Sequence, residues 1–138
     1  MKIYFAGSIR GGRQDQNLYF QIVDLLKKYG EVLTEHVANK NISSYGENLS
    51  EEAIYERDIR WLLSCDVVVA EITTASTGVG YEVAMAESVK KKILCIWREA
   101  PNGCPSAMIL GNNHITIRQY KDLNDLEIIF KNFFEGLS

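Results

Sequence analysis

The sequence predicts a single α/β domain in which a five-stranded parallel sheet carries helices on both faces. Short apolar runs alternate along the chain with longer amphipathic segments, in the order βαβαβαβ(α)βα. Residues 66–72 include three consecutive valines, a β-branched run typical of a central parallel strand. The length of 138 residues, with 46% hydrophobic residues, suits one domain around a single core.

The elements follow from local patterns. Strands are predicted over residues 3–6, 31–36, 66–72, 92–97 and 114–119. Helices are predicted over residues 14–29, 50–64, 80–89, 106–110 and 123–134. Gly30 is a natural end for the first helix, and Ser50, with Glu52 close behind it, is typical of a helix start. Residues 39–48 are polar and are predicted to form a loop.

Ligands of parallel α/β sheets bind outside the carboxyl ends of the strands. Three loops of unusual composition follow predicted strands, at residues 7–13, 73–80 and 101–106. The sequence therefore predicts a functional site at this edge of the sheet.

Composition argues against several classes of protein. The net charge of −3 makes a general nucleic-acid-binding face unexpected. The lysine run at residues 90–92 is interpreted as a solvated helix end. The cysteines match no zinc-binding spacing, and Cys65 and Cys95 are expected to be buried, reduced thiols. His36 and His114 are interpreted as strand-end residues, so neither a metal nor another cofactor is expected.

Targeting segments are not expected either. The apolar run at the N-terminus is too short for a signal peptide, and no stretch approaches the length of a membrane span. The expected location is the cytosol, or the nucleus in a eukaryotic source, with no membrane partner.

The segment from Gly7 to Gly12, GSIRGG, follows the first strand and precedes the first helix. Glycines such as Gly11 let a backbone approach a ligand closely, and free N–H groups at a helix start favour an anion. Ser8 adds a hydroxyl and Arg10 a guanidinium suited to phosphate. The segment matches neither a Walker A loop nor a GxGxxG fingerprint. A tight turn carrying a surface arginine is the alternative interpretation.

The segment STGVGYE follows the central strand and opens a helix. Ser76 and the amide of Gly78 can hold a phosphate or a ribose. Glu82 is expected in the first turn of this helix, where the dipole favours a carboxylate by roughly 0.3–1 kcal/mol and keeps it ionised and nucleophilic. The alternative is that Glu82 only satisfies the helix start.

Asp58 lies within the apolar stripe of the second predicted helix, four residues after Ile54 and four before Leu62. A carboxylate facing a core is costly unless it has partners, and burial raises the pKa of such a group so that it can act as an acid. A structural pair with an arginine, for example Arg10, is equally compatible. Tyr4 is a further candidate, because its hydroxyl can reach the crevice from the first strand.

Six segments together resemble the 2'-deoxynucleoside 5'-phosphate N-hydrolases, within the wider nucleoside 2-deoxyribosyltransferase superfamily. They are residues 2–15 (KIYFAGSIRGGRQD), 33–37 (LTEHV), 66–71 (DVVVAE), 78–82 (GVGYE), 92–95 (KILC) and 106–109 (SAMI). The resemblance covers nearly the whole chain, and the first and fourth segments are the specific ones.

The resemblance implies a flavodoxin-like sheet, a homodimer and a nucleoside 5'-monophosphate substrate. It implies that Glu82 attacks C1' of the sugar, that Asp58 assists departure of the base and that Tyr4 positions the nucleophile. It also implies a phosphate pocket, completed by Ser106 from the partner subunit. The other residues of that pocket are Ser8, Ile9, Arg10, Ser76 and Gly78.

The hypothesis is therefore hydrolysis of an N-glycosidic bond through a covalent glutamyl–sugar ester, without a metal or redox cofactor. A deoxyribosyltransferase would transfer the sugar to a second base, and a ribonucleotide hydrolase would use the same groups. A non-catalytic nucleotide sensor would need the glycine loops but no pair of carboxylates. Fold alone does not decide among them.

Overall fold

The computed structural model describes residues 1–8, 16–34, 48–101 and 104–137. Five parallel strands form one sheet in the order β2-β1-β3-β4-β5. The predicted five-stranded parallel sheet is thus confirmed. The order is that of flavodoxin-like folds, in which the strand order reverses between β1 and β3.

The strands are β1 (Lys2–Ala6), β2 (Glu31–Val32), β3 (Val67–Glu71), β4 (Lys92–Trp97) and β5 (Thr116–Gln119). The helices are α1 (Gln16–Leu26), α2 (Glu51–Ser64), α3 (Thr77–Ser88), α4 (Ala107–Leu110) and α5 (Leu123–Glu135). No helix among the described residues is long and apolar enough to cross a membrane.

The sheet separates two apolar layers. On one face, α1 and α5 pack against alternate residues of the strands, including Phe5 and Val69. On the other face, α2 and α3 pack against Tyr4, Val68 and their neighbours. This alternation follows from the two-residue period of a strand, and it explains why all five residues of β3 are buried.

Several element boundaries differ from the sequence expectation: α1 ends at Leu26 rather than at residue 29, and β5 begins at Thr116 rather than at residue 114. Two further differences have a clear physical cause. Helix α3 begins at Thr77 rather than near residue 80, because Ser76 is extended and its hydroxyl accepts from the amide of Val79 at 3.3 Å. Strand β2 has two residues. At Thr34 the side-chain hydroxyl, rather than the backbone, makes the hydrogen bonds to β1. Residues 35 and 36 of the predicted strand lie outside the described residues, as do residues 39–47 of the predicted loop.

The lysine run ends α3 as predicted, with Lys90 and Lys92 exposed. Lys90 has a left-handed backbone, with φ of 59°, where the helix stops. The Nζ atom of Lys91 donates to the carbonyls of Leu63 and Cys65, both at 2.8 Å. Lys91 thereby holds the end of α3 against the end of α2, which the sequence pattern did not predict. The prediction of buried thiols at Cys65 and Cys95 is confirmed.

Thr34 offers a test of the β1–β2 edge. Its buried hydroxyl accepts from the amide of Phe5 at 2.7 Å and donates to the carbonyl of the same residue at 2.6 Å. We expect Thr34→Val to lower the free energy of unfolding by about 2 kcal/mol, because two buried backbone groups lose their partner. Urea denaturation measures this, and Thr34→Ser, which keeps the hydroxyl, is the control. Equal stability of the valine and serine variants would contradict the interpretation.

Candidate active site

The site centres on a contact between Tyr4 and Glu82, which are 78 residues apart in the sequence. Tyr4 is a buried residue of β1 on the face covered by α2 and α3. Its hydroxyl donates a hydrogen bond to Oε2 of Glu82, on α3. Because β1 and β3 adjoin where the strand order reverses, the contact lies at the topological switch point.

Glu82 is a poorly solvated carboxylate. Burial is the largest influence and, with the negative charge of Asp58, raises its pKa to about 7, while the Tyr4 hydrogen bond acts in the opposite direction. The expectation that Glu82 lies in the first turn of the helix is wrong. Because α3 begins at Thr77, Glu82 is its sixth residue, past the first turn in which the dipole acts.

Tyr4 remains a neutral hydrogen-bond donor. Burial raises the pKa of its hydroxyl above the usual range, and the charges of Glu82 and Asp58 raise it further. Deprotonation would place a second negative charge beside the glutamate in a poorly solvated space. Tyr4 can therefore hold one oxygen of Glu82 in place without competing for its role as a base or nucleophile.

Asp58 shares this space from α2. Its charge affects both Tyr4 and Glu82, so the structure brings together the three predicted catalytic side chains. Asp58 is partly buried, and its Oδ1 accepts from Nε of Arg57 at 3.0 Å and forms an ion pair with Nη2 at the same distance. The guanidinium of Arg57 also lies over the Trp61 ring, 4.8 Å from its centroid.

Arg57 was not among the residues singled out from the sequence. Arg10, the example given of an arginine that could pair with Asp58, lies outside the described residues. Arg57 immediately precedes Asp58, and the spacing of four residues to Trp61 is the signal that would have indicated the stacking. A guanidinium at this distance favours the ionised form of the aspartate.

The start of α3 lines the space in front of Glu82. A methyl group built on Gly78 would lie 3.8 Å from Oγ of Ser76 and 4.0 Å from Oε1 of Glu82. Ser76 caps the helix through its hydroxyl, and its carbonyl accepts from the amide of Gly80 at 3.1 Å. Ser76, Gly78 and the Oε1 oxygen of Glu82 therefore border one small volume.

Ser8 lies at the end of β1. Its amide donates to the hydroxyl of Tyr19 at 3.1 Å, and its side chain is fully buried. In the part of the chain that the structure describes, the Ser8 hydroxyl is the buried side-chain polar atom that lacks a hydrogen-bond partner. The predicted phosphate-binding residues Ile9, Arg10 and Gly11 lie outside the described residues.

Ser106 lies in a different environment from Tyr4, Asp58 and Glu82. It is exposed and caps α4, where its hydroxyl accepts from the amide of Met108 at 3.2 Å. The Met108 side chain beside it is 84% exposed. Within residues 1–8, 16–34, 48–101 and 104–137, no group of three or more histidine, cysteine or acidic side chains is placed to hold a metal ion.

Fold and site together define a flavodoxin-like α/β protein with a tyrosine–carboxylate site at its switch point. The family profile described as "Nucleoside 2-deoxyribosyltransferase" matches residues 3–114. The chain belongs to this family.

Curated relatives match over the full length. The chain is 46% identical to "5-hydroxymethyl-dUMP N-hydrolase" of Esox lucius, with 100% of this chain and 99% of the relative covered. It is 42% identical to the Homo sapiens protein of the same name, with 97% and 79% covered.

Solved structures support the fold. A CMP N-glycosidase from Clostridium botulinum aligns with a TM-score of 0.68 at 17% identity, with 96% of this chain and 99% of that chain covered. A 2-deoxyribosyltransferase from Bacillus psychrosaccharolyticus aligns with a TM-score of 0.66 at 17% identity, with 92% and 90% covered.

The raised pKa of Glu82 predicts a pH-dependent cost in stability. Glutamate in the unfolded chain ionises near pH 4.5, whereas Glu82 in the folded protein ionises near pH 7. The folded state therefore holds its proton longer, and stability falls as the pH rises from about 4.5 to 7. We expect Glu82→Gln, which can still accept from Tyr4, to be more stable than the wild type by about 3 kcal/mol at pH 8.

Thermal and urea unfolding of both proteins between pH 4 and pH 8 measures this difference. At pH 4 the gain should vanish, because Glu82 is then neutral in both states. A gain in stability that is independent of pH would show that the glutamine stabilises the protein by another mechanism.

Proposed function

We propose that this protein is an N-glycosidase that hydrolyses 2'-deoxynucleoside 5'-monophosphates to the free base and deoxyribose 5-phosphate. The names of the curated relatives support this class of reaction. The observation that carries the proposal is the poorly solvated Glu82 carboxylate, held by Tyr4 at the switch point and bordered by the start of α3.

Glu82 is the proposed nucleophile. The Tyr4 hydroxyl donates to Oε2. The other oxygen, Oε1, faces the volume beside Gly78, where C1' of the sugar would lie. The bond from C1' to the base nitrogen breaks through an oxocarbenium-like state, and Oε1 forms an ester with C1'. A carboxylate with a pKa near 7 is a stronger nucleophile than an ordinary one and is still largely ionised slightly above neutral pH.

Asp58 is the proposed proton carrier. In the first step its carboxyl group, in the protonated form that the Arg57 ion pair disfavours in the free protein, donates a proton to the departing base. The resulting carboxylate is stabilised by Arg57, in the ion pair that the structure contains. In the second step it takes a proton from water, the hydroxide attacks C1', and the ester bond to Glu82 breaks. Asp58 returns to its protonated form, and no metal or redox cofactor takes part.

The substrate phosphate is proposed to bind between the ends of β1 and β3. The buried Ser8 hydroxyl has no partner among the described residues, and such a group is costly unless a ligand satisfies it. Ser76 and Gly78 border the volume in front of Glu82, at the loop that follows β3. The adjoining Ile9, Arg10 and Gly11 are proposed to complete the pocket. Remote binding energy from this phosphate can then lower the barrier at C1'.

We also propose a homodimer in which Ser106 of one subunit completes the phosphate pocket of the other. Several exposed apolar side chains support an interface on the α2, α3 and α4 side of the sheet. They are Tyr55, Leu63, Tyr81 and Met108, each at least 49% exposed. Tyr55 and Tyr81 form an edge-on pair, with centroids 6.4 Å apart. A cytosolic or nuclear location, without nucleic-acid or membrane partners, stays a prediction.

Transfer of the sugar to a second base is the alternative that the family and one structural neighbour support. It differs from hydrolysis only in the molecule that accepts the sugar from the ester, so added free base would yield a new nucleotide. A nucleotide sensor would have no need of a carboxylate whose poor solvation lowers the stability of the fold. The Tyr4–Glu82 contact therefore favours an enzyme.

Base release tests the proposal directly. We expect the wild type to release base from 2'-deoxynucleoside 5'-monophosphates, with 5-hydroxymethyl-dUMP and ribonucleotides in the panel. Glu82→Gln should reduce the rate by about a thousandfold or more, because the nucleophile is lost. Below pH 7 the kcat/KM of the wild type should fall, because Glu82 becomes protonated.

Glu87→Gln is the matched control for this experiment. Glu87 lies on α3 but is bonded to the Nδ2 atom of Asn112, at 2.8 Å, and its replacement should leave the rate unchanged. Full turnover by Glu82→Gln would remove the proposed mechanism.

Replacing two glycines of α3 one at a time separates an effect on activity from an effect on stability. Gly78→Ala places a methyl group beside Ser76 and Oε1 of Glu82, whereas Gly80→Ala meets nothing within 4 Å. Both changes should stabilise the helix by up to about 1 kcal/mol, because alanine is the better helix former. We expect only Gly78→Ala to lower kcat/KM, by at least about tenfold. Similar kinetics for the two variants would show that the volume beside Gly78 does not receive substrate.

A further inference from the structure

A fully buried carboxylate lies close to the site and has no part in the proposed chemistry. Glu71, the last residue of β3, is 1% exposed. From strand alternation, its side chain lies on the face of Val69, opposite Tyr4 and Glu82.

Both oxygens of Glu71 bind groups at the carboxyl edge of the sheet. Oε1 accepts from the amide of Thr73, and Oε2 accepts from the hydroxyl of Tyr120, each at 2.6 Å. The Thr73 hydroxyl in turn accepts from the amide of Arg98 at 3.0 Å. Because Arg98 follows β4 and Tyr120 follows β5, Glu71 links the ends of three neighbouring strands.

These bonds fix the loop that leads into α3. The amide of Ile72 donates to the carbonyl of Ile96 at 2.9 Å, and Thr73 is then held by Glu71 and Arg98. At the far end of the loop, Ser76 is fixed by its bonds to the first turn of α3. Only Thr74 and Ala75 separate the two fixed points. Displacing Thr73 would deprive a buried carboxylate of a partner, which is costly.

We infer that Glu71, together with Tyr120, is a positioning residue for the phosphate-binding side of the site. It acts through Thr73 on Ser76 and Gly78, and so sets their distance from Ser8 at the end of β1. The inference rests on the proposed function, because the 5'-phosphate is the group that this edge would receive. Glu71 touches no reacting atom, so its loss should weaken phosphate recognition rather than the recognition of base and sugar.

The experiment compares two ligands in the Glu82→Gln background, where turnover does not interfere. Calorimetry measures Kd for a 2'-deoxynucleoside 5'-monophosphate and for the same nucleoside without phosphate. We expect Tyr120→Phe, which keeps the ring and removes one donor to Glu71, to raise the Kd of the monophosphate about tenfold. The Kd of the nucleoside should change by less than about twofold.

A second variant and a control accompany this measurement. Thr73→Val removes the acceptor for Arg98 without a change in shape, and should have the same selective effect. Tyr29→Phe is the matched control, because Tyr29 stacks on Phe134 with a centroid distance of 4.5 Å, at the opposite end of the sheet. It should leave both affinities unchanged.

Three outcomes would overturn the inference. The first is equal weakening of both ligands, which indicates general destabilisation. The second is unchanged binding of the monophosphate in a variant whose Tm shows that the hydrogen bonds around Glu71 are broken. The third is a parent protein that binds monophosphate no more tightly than nucleoside. Tight monophosphate binding in a protein that releases no base would instead contradict only the proposed hydrolysis, and the two ideas are therefore distinguishable.

Discussion

The hydrogen bond from Tyr4 to Glu82 is the interaction on which the organisation of the site depends. A glutamate in this position lacks most of its hydration, so its pKa rises to about 7. The tyrosine hydroxyl limits that rise and fixes one oxygen, which leaves the other facing the volume beside Gly78. The same burial that reduces stability makes the carboxylate a better nucleophile, so stability and reactivity oppose each other at one residue.

The sheet order explains why this contact exists. With β1 beside β3, a side chain from the first strand meets the helix that follows the third, and the crevice opens between their connecting loops. Asp58 and its partner Arg57 enter the same space from α2, on the same face. On the opposite face, Glu71 fixes the loop that precedes α3. Two carboxylates, the partly buried Glu82 and the buried Glu71, thus serve one edge of the sheet from its two sides.

Much of the fold could be predicted from local patterns. The valines of β3, the apolar alternation and the cap at Ser50 reflect interactions within a few residues of one another, so the sequence displays them directly. The short β2 was not predictable, because the Thr34 hydroxyl replaces backbone bonds to a strand 29 residues away. The start of α3 was misplaced for a smaller reason: Gly78 and Gly80 suggested a loop, but the cap at Ser76 stabilises a helix through them.

The sequence by itself determined the class of fold, the loops that border the site and the candidate residues Tyr4, Asp58 and Glu82. It did so because residue type, strand alternation and family motifs are all written along the chain. Only the tertiary structure decided the state of those residues. The charge of Glu82, the pairing of Asp58 with Arg57 and the anchoring of Glu71 depend on burial and on distances between strands and helices far apart in sequence, and a pKa is set by that three-dimensional environment.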